Sequence, residues 1–384
     1  MKELQDIIAV WKQLKEKKQT AALATLVKVE GSAYRRPGAR ILITSDGQVG
    51  TISGGCLESD VIMRSQEVLE TGILTLVEYD TTSEEDLIWG LGLGCQGVAY
   101  ILIERLDTEQ PNALSVIEQC LSTKVAGAVA TVFSLETTET KKNIDRVLLY
   151  PDGRVVSNIN NLELEAIVIQ DLQSLQKSRS QAYTLAEETA EVFLELIVPP
   201  IDIVIFGAGF DALPVAKFAK ALGWYVTVID PLARPQTVER FKECKRVILG
   251  FSDEAAGRIK FDDRTVVVAM SHNYLYDLEF LQTISTIKLK YLGILGPKTR
   301  TERLLQDLKA EGYTLRAPQI YSPVGLDIGA DNPEEIALSI IAEIQAVTKE
   351  RSGGLLRNRN APIHSSQPRY VASNPYSEVI ISSE

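Results

Sequence analysis

Ile201-Asp202-Ile203-Val204-Ile205-Phe206-Gly207-Ala208-Gly209-Phe210-Asp211-Ala212 passes from an apolar run through a glycine turn to the start of a helix. The run is bounded like a strand buried on both faces and is short for a helix. The helix continues to about Leu222, and a second strand, Trp224 to Ile229, ends at Asp230. Gly207, Gly209 and Ala212 form the G-x-G-x-x-A version of the dinucleotide fingerprint. Asp230 stands 23 residues (230 − 207) beyond the first glycine, where an acid contacts a ribose. Strand, turn, helix and strand in this order predict a Rossmann-like, doubly wound sheet. Further strands fit Arg246 to Leu249, Val266 to Met270 and Tyr291 to Leu295. His272 follows the second of these at the sheet edge where open α/β folds bind ligands. It is a candidate acid/base or phosphate contact, with an ordinary polar loop residue as the other reading. Asn332-Pro333-Glu334-Glu335 starts a helix, and Ile336, Ile340, Ile341 and Ile344 give it a packing face.

Upstream, Pro199-Pro200 cannot continue a central strand and marks a boundary. The expected organisation is an α/β domain over 1–198, the Rossmann-like domain over 199–350, and a Ser-, Asn- and Pro-rich tail over 351–384. With 384 residues, 45% hydrophobic and 24% charged, the chain has room for two domains and the composition of a globular protein. A net charge of −11 argues against a scaffold held to nucleic acid by bulk electrostatics. Met1 to Lys18 lacks an apolar secretory core, and no apolar run reaches the roughly 18 residues of a membrane span. Four cysteines are too few for a disulfide framework in so long a chain. The expectation is a cytoplasmic α/β protein with no membrane or nucleic-acid partner.

The first 198 residues carry an internal repeat. The hairpin Ile41 to Val49 corresponds to Val147 to Val155, and the helical segment from Leu57 corresponds to that from Leu162. Copy one holds Gly31 to Gly38 with Arg35 and Arg36, then Ser53-Gly54-Gly55-Cys56, then Leu91 to Gly97 with Cys95. Copy two has none of these residues at its matching places, so the repeat serves as an internal control that favours a ligand over a structural need. Gly54-Gly55 at a helix start lets backbone amides approach an anion, and a cysteine there is placed where thiolate character is favoured. Arg35, Arg36 and Arg40 flank Pro37-Gly38 and are candidates for a phosphate clamp; a solvated basic loop is the alternative. No Cys-x-x-Cys pair and no first-domain histidine exist, which argues against zinc. Cys120 and Cys244 read as structural. Cys56 and Cys95 are expected to face one cleft.

These motifs together resemble the XdhC/CoxI family, accessory factors that mature molybdenum hydroxylases such as xanthine dehydrogenase. The resemblance runs through Gly31-Ser32 with Arg35 and Gly38, Gly50 to Glu58, Leu91 to Gly97, Pro199 to Gly209, Ser271-His272, Gly293 to Gly296 and Ser322 to Gly329 into Pro333 to Ala337. The chain departs from the family pattern at Phe210, Gln96 and Pro297. The resemblance implies a non-catalytic maturation factor that binds the molybdenum cofactor (molybdopterin), protects it during sulfuration by a separate cysteine desulfurase, and delivers it to an apo-molybdenum hydroxylase. It implies cofactor contacts at Arg35, Arg36, Gly54, Gly55, Cys56, Glu58, Cys95, Gln96 and Gly97, with Cys56 the candidate molybdenum ligand. In the second domain the candidate contacts are Gly207, Gly209, Asp230 and His272. The alternative reading is an NAD(P)-dependent oxidoreductase working in the interdomain cleft with His272 as proton donor. Asp211 and Phe210 disturb the phosphate turn, so tight NAD(P) affinity is not expected. A homodimer is the default oligomer.

Overall fold

A computed structural model of the chain describes residues 1–81, 97–133, 144–185, 188–251, 257, 259–262, 264–316, 319–360 and 363. The chain forms two compact units, Met1–Pro199 and Pro200–Glu384. No helix among the described residues is long and apolar enough to cross a membrane.

The first unit is built twice. Its first half is α1 (Lys2–Lys17), β1 (Ala21–Gly31), β2 (Arg40–Thr44), β3 (Gly47–Thr51), α2 (Glu58–Thr71), β4 (Thr75–Asp80) and β5 (Gly97–Leu106). The second half is α3 (Ala113–Thr123), β6 (Gly127–Phe133), β7 (Arg146–Leu149), β8 (Val155–Ser157), α4 (Leu162–Gln173), β9 (Arg179–Leu185) and β10 (Glu188–Ile197). The sheets run β3-β2-β1-β5-β4 and β8-β7-β6-β10-β9, so the two hairpins of the repeat occupy the same topological place. Register agrees as well: Thr25 faces Arg40 in one sheet and Thr131 faces Arg146 in the other, each residue 106 positions from its counterpart. The same spacing separates Lys18 from Lys124, the left-handed caps that end α1 and α3. The duplication therefore begins with the helix before each first strand, a part of the repeat that hairpin matching alone does not show.

Period-two burial explains the layering. Ala22, Ala24 and Leu26 of β1 face α2, while Ala21 and Leu23 face a shared core with Ile7, Trp11 and Leu14 of α1 and Leu114, Ile117 and Cys120 of α3. The second sheet repeats the arrangement, with Ala128 and Ala130 against α4 and Val129 in the shared core. Each large aliphatic side chain fully buried in this way contributes about 1.5–3 kcal/mol. Two buried ion pairs link the halves reciprocally. Arg40 of β2 donates Nη1 to Glu195 of β10 at 2.6 Å and to the Gly38 carbonyl at 3.0 Å. Arg146 of β7 donates to both carboxylate oxygens of Glu104 of β5, at 2.9 and 3.1 Å. Burial works against the Arg40 charge, and Glu195 beside it more than restores it. Arg40 is thus a scaffold residue, and its expected share in a phosphate clamp is corrected.

The second unit contains β11 (Asp202–Phe206), α5 (Ala212–Ala221), β12 (Tyr225–Asp230), α6 (Gln236–Arg240), β13 (Arg246–Leu249), β14 (Thr265–Ala269), α7 (Tyr274–Thr283), β15 (Tyr291–Ile294), α8 (Lys298–Ala310), β16 (Ile320–Tyr321) and α9 (Pro333–Thr348). The order β13-β12-β11-β14-β15-β16, parallel throughout, is the doubly wound arrangement with its switch between β11 and β14. Both faces of β11 are covered, which is why its sequence is almost unbroken apolar. Val204 and Phe206 pack on one side, where Phe206 stacks on Phe280 at 4.1 Å; Ile203 and Ile205 pack on the other. Helix α9 starts with the expected helix-entry residues, Asn332 and Glu335 forming a capping box, and Ile340, Ile341 and Ile344 share a core with α5. Strand β16 has only two residues, too few for any periodicity to announce it.

Candidate functional site

Between β3 and α2 the chain buries Ile52, Ser53 and Leu57 and exposes Gly54, Gly55 and Cys56. The exposed loop is held from below. The buried Glu58 carboxylate accepts from Thr51 Oγ1 at 2.5 Å, the Ser53 amide at 2.9 Å, the Ile52 amide at 3.3 Å, and the Ser53 hydroxyl. Ser53 Oγ in turn accepts from the amides of Gly55 at 3.1 Å and Leu57 at 3.2 Å. Burial pushes the Glu58 carboxyl up, but the hydroxyls of Ser53 and Thr51 and the Ser53 amide outweigh it and hold the group at about 2. Glu58 therefore stays ionised and both its oxygens are occupied by the loop. Its place is beneath the loop, as a positioning group. The Cys56 thiol is exposed and lies 3.8 Å from Ser53 Oγ. The other described cysteines differ: burial pushes the Cys120 thiol up to about 12 and that of Cys244 to about 11.

Cys56 borders a small cavity whose apolar wall includes Leu26, Ile52, Leu57, Tyr79 and Ala99. Arg35 reaches the same rim, where Glu3 of α1 accepts from its Nη1 at 2.8 Å and from its second arm. That pairing raises the Arg35 pKa and lowers the Glu3 pKa. Arg36 is exposed one residue on. Gly97 closes the cavity, and the scaffold gives it a reason of its own. A Cβ there would stand 2.3 Å from the Ser32 carbonyl oxygen, and Thr81 Oγ1 both donates to its carbonyl at 2.6 Å and accepts from its amide at 3.1 Å. Cys95 and Gln96, and with them the expected common cleft of two cysteines, lie outside the described residues. Sequence reasoning named Ser53 within its motif but missed its bonds to the loop and to Glu58, and it missed Thr51; the spacing of both to Glu58 is not that of a capping box. It also missed Glu3, which is distant along the chain.

At the carboxyl edge of the parallel sheet, Gly207 is required because a Cβ would lie 2.3 Å from the Met270 carbonyl oxygen. The ligand groups expected there are taken by the protein. Asp230 is 0% exposed and accepts from Arg234 at 2.9 and 3.1 Å, from Thr237 Oγ1 at 2.5 Å and from the Leu232 amide at 3.2 Å. Burial raises its pKa, and Arg234 and Thr237 lower it further than burial raises it. The Ala208 carbonyl, between Gly207 and Gly209, accepts from Arg234 at 3.1 Å and Arg240 at 3.0 Å. Phe210 is 77% exposed under the Arg240 guanidinium, 4.3 Å from its ring centre. His272 Nε2 lies 2.7 Å from Asp211, the residue before α5. A ribose finds no vacant acceptor on Asp230, and a pyrophosphate would meet the Asp211 carboxylate at the helix start. These residues do not fit a dinucleotide in its usual pose.

Among the described residues, no group of three or more His, Cys, Asp or Glu side chains could hold a metal ion. A polar cleft of about 590 Å³ opens elsewhere in the first unit, lined by the Glu104–Arg146 pair, whose two carboxylate oxygens are both taken by the guanidinium.

Comparison with known proteins matches residues 14–80 to the "XdhC and CoxI family" and residues 203–344 to the "XdhC Rossmann domain". The chain is 33% identical over 332 residues to a Bacillus subtilis protein named as part of a probable xanthine dehydrogenase, covering 86% of this chain and 94% of the relative. It is 24% identical over 330 residues to the Escherichia coli molybdenum cofactor insertion chaperone PaoD, covering 85% and 83%. A crystal structure described as a xanthine dehydrogenase from Bacillus halodurans superposes with a TM-score of 0.73 at 30% identity, over 90% of this chain and 96% of that one.

Proposed function

The chain belongs to the XdhC and CoxI family, and on that premise we propose that it is a cytoplasmic, non-catalytic accessory factor that carries the molybdenum cofactor. In this reading it holds the cofactor while a separate cysteine desulfurase sulfurates it, then passes it to a xanthine dehydrogenase-type apo-hydroxylase. The names of two relatives, one tied to xanthine dehydrogenase and the other to cofactor insertion, support the accessory role. The observation that carries the reading is the exposed Gly54-Gly55-Cys56 loop, fixed by a buried, ionised Glu58.

The donor set fits such a cargo. Molybdopterin presents a soft, sulfur-ligated metal and a terminal phosphate. The Cys56 thiol suits the first; the amides of the loop with Arg35 or Arg36 suit the second. When bound, the cofactor supplies the metal centre that the hydroxylase uses. The chain's own part is to bind, orient and shield. Ser53 and Glu58 keep the loop in one conformation, so little ordering cost is left for binding. Cys95 stands two residues before Gly97, whose backbone lies on the cavity wall, and belongs to the same proposal.

The proposal has a transfer test. Chain loaded with cofactor and mixed with apo-hydroxylase restores hydroxylase activity, and Cys56→Ser reduces the restored activity at least tenfold. If Cys56→Ser and Cys95→Ser both restore it as wild type does, the thiol role is wrong. The second unit has a separate expectation. Titration calorimetry with NADH and NADPH shows no binding in the micromolar range, and tight binding with hydride turnover would favour the oxidoreductase reading instead.

A further inference from the structure

Tyr34 is the most exposed aromatic side chain among the described residues of the first unit, 70% exposed, and it lines the cavity that Cys56 borders. Its ring lies against the loop. A side chain begun at Gly54 would have its first carbon 3.8, 3.9 and 4.0 Å from three ring atoms of Tyr34. The ring is thus within ordinary contact range of the loop, with most of its surface turned to solvent. Its hydroxyl has no hydrogen-bond partner among the described residues. A tyrosine placed to complete the scaffold normally buries its ring and satisfies its hydroxyl; Tyr79 on the same cavity is half-buried and donates to Asp60 at 2.5 Å. Tyr34 does neither. The second half has Thr140 at the matching position, 106 residues on, so the repeat does not require an aromatic there.

We infer that Tyr34 is a stacking platform for the planar pterin ring of the cargo, an assignment that rests on the cofactor reading above. The geometry divides recognition by chemistry. The exposed thiol of Cys56 and the cations of Arg35 and Arg36 address the metal and phosphate ends, and neither recognises a flat heteroaromatic ring. An exposed tyrosine on the same rim supplies that missing contact. Stacking of a heteroaromatic base on such a ring is worth about 1–3 kcal/mol, which corresponds to roughly 5- to 150-fold in affinity.

The test uses full-length chain purified from molybdenum-replete cells, with pterin and molybdenum measured per chain for wild type, Tyr34→Phe, Tyr34→Leu and Cys56→Ser. Tyr34→Phe keeps the ring and is expected within twofold of wild type. Tyr34→Leu is expected to fall at least about fivefold in pterin, with an unchanged urea midpoint because the side chain is exposed. Pterin retention by Tyr34→Leu equal to wild type overturns the inference. If Cys56→Ser has meanwhile lost its cargo, the cofactor reading survives that failure. A wild-type chain carrying neither pterin nor molybdenum overturns both. A Tyr34→Phe loss as large as that of Tyr34→Leu also overturns stacking, since it assigns the contact to the hydroxyl.

Discussion

The two halves of the first unit solve one problem differently: how to begin the helix that follows the second hairpin strand. In the second half Asn161 caps α4 directly, its Oδ1 accepting from the amides of Glu163 at 3.0 Å and Leu164 at 3.1 Å. One neutral side chain is sufficient, and its loop, Asn158 to Asn161, has no glycine or cysteine. In the first half the residue before α2 is Leu57, which makes no side-chain cap. Instead Ser53 Oγ accepts from the Leu57 amide just before the helix, and the buried Glu58 carboxylate accepts from Ser53 in turn. The same scaffold thus accepts a simpler solution 104 residues away. What the first half gains is three residues, Gly54 to Cys56, that face solvent in a fixed shape. A costlier helix start whose product is an exposed thiol points to the thiol as its purpose.

The comparison breaks first if the halves are not equivalent scaffolds. Arg40→Ala and Arg146→Ala each leave a buried glutamate without its partner, and each should cost about 3–5 kcal/mol in urea unfolding. The two losses should match within about 1 kcal/mol, given the reciprocal pairs. A cost confined to one of them would show that the reciprocity is geometric only.

Glu58→Gln sharpens the difference between the halves. It removes a charge that accepts four hydrogen bonds and should cost about 2 kcal/mol near neutral pH. Because the folded pKa of Glu58, about 2, lies below its ordinary 4.5, the carboxylate stabilises the fold above the higher value. That contribution falls as pH drops from about 4.5 towards 2. The gap between wild type and Glu58→Gln, followed by urea unfolding at a series of pH values, should therefore close over that window. A gap independent of pH would mean that the charge is not what holds the loop. The smallest effect belongs to the second half. Asn161→Ala loses an ordinary cap, should cost about 1 kcal/mol, and should leave cofactor loading unchanged.

Legibility in the sequence followed the range of the interactions. The Rossmann-like sheet was readable because strand, glycine turn and helix are local, and each strand end lies within about a residue of its expected place. The repeat was visible through its hairpin tips, whereas α1 and α3 share packing but little identity. Asp230 carried the spacing of a ribose acceptor. Arg234, four residues on, was present to pair with it, but only three dimensions show both its arms in use. Glu58 invited a similar misreading, as a cofactor contact, because the motif that names it cannot show where its oxygens point. Gly97 qualified the internal-control argument: its counterpart in the second half is not glycine, yet the Ser32 carbonyl alone excludes a side chain. Arg35 and Glu3 met across 32 residues, beyond any local rule.

The central claim is that only the first half carries cargo. The direct measurement is molybdenum per chain, by mass spectrometry of the metal, in wild type, Cys56→Ser and Asn161→Ala purified side by side from molybdenum-replete cells. The expected result is equal loading of wild type and Asn161→Ala, with at least a tenfold loss in Cys56→Ser. Equal loading of wild type and Cys56→Ser would contradict the claim.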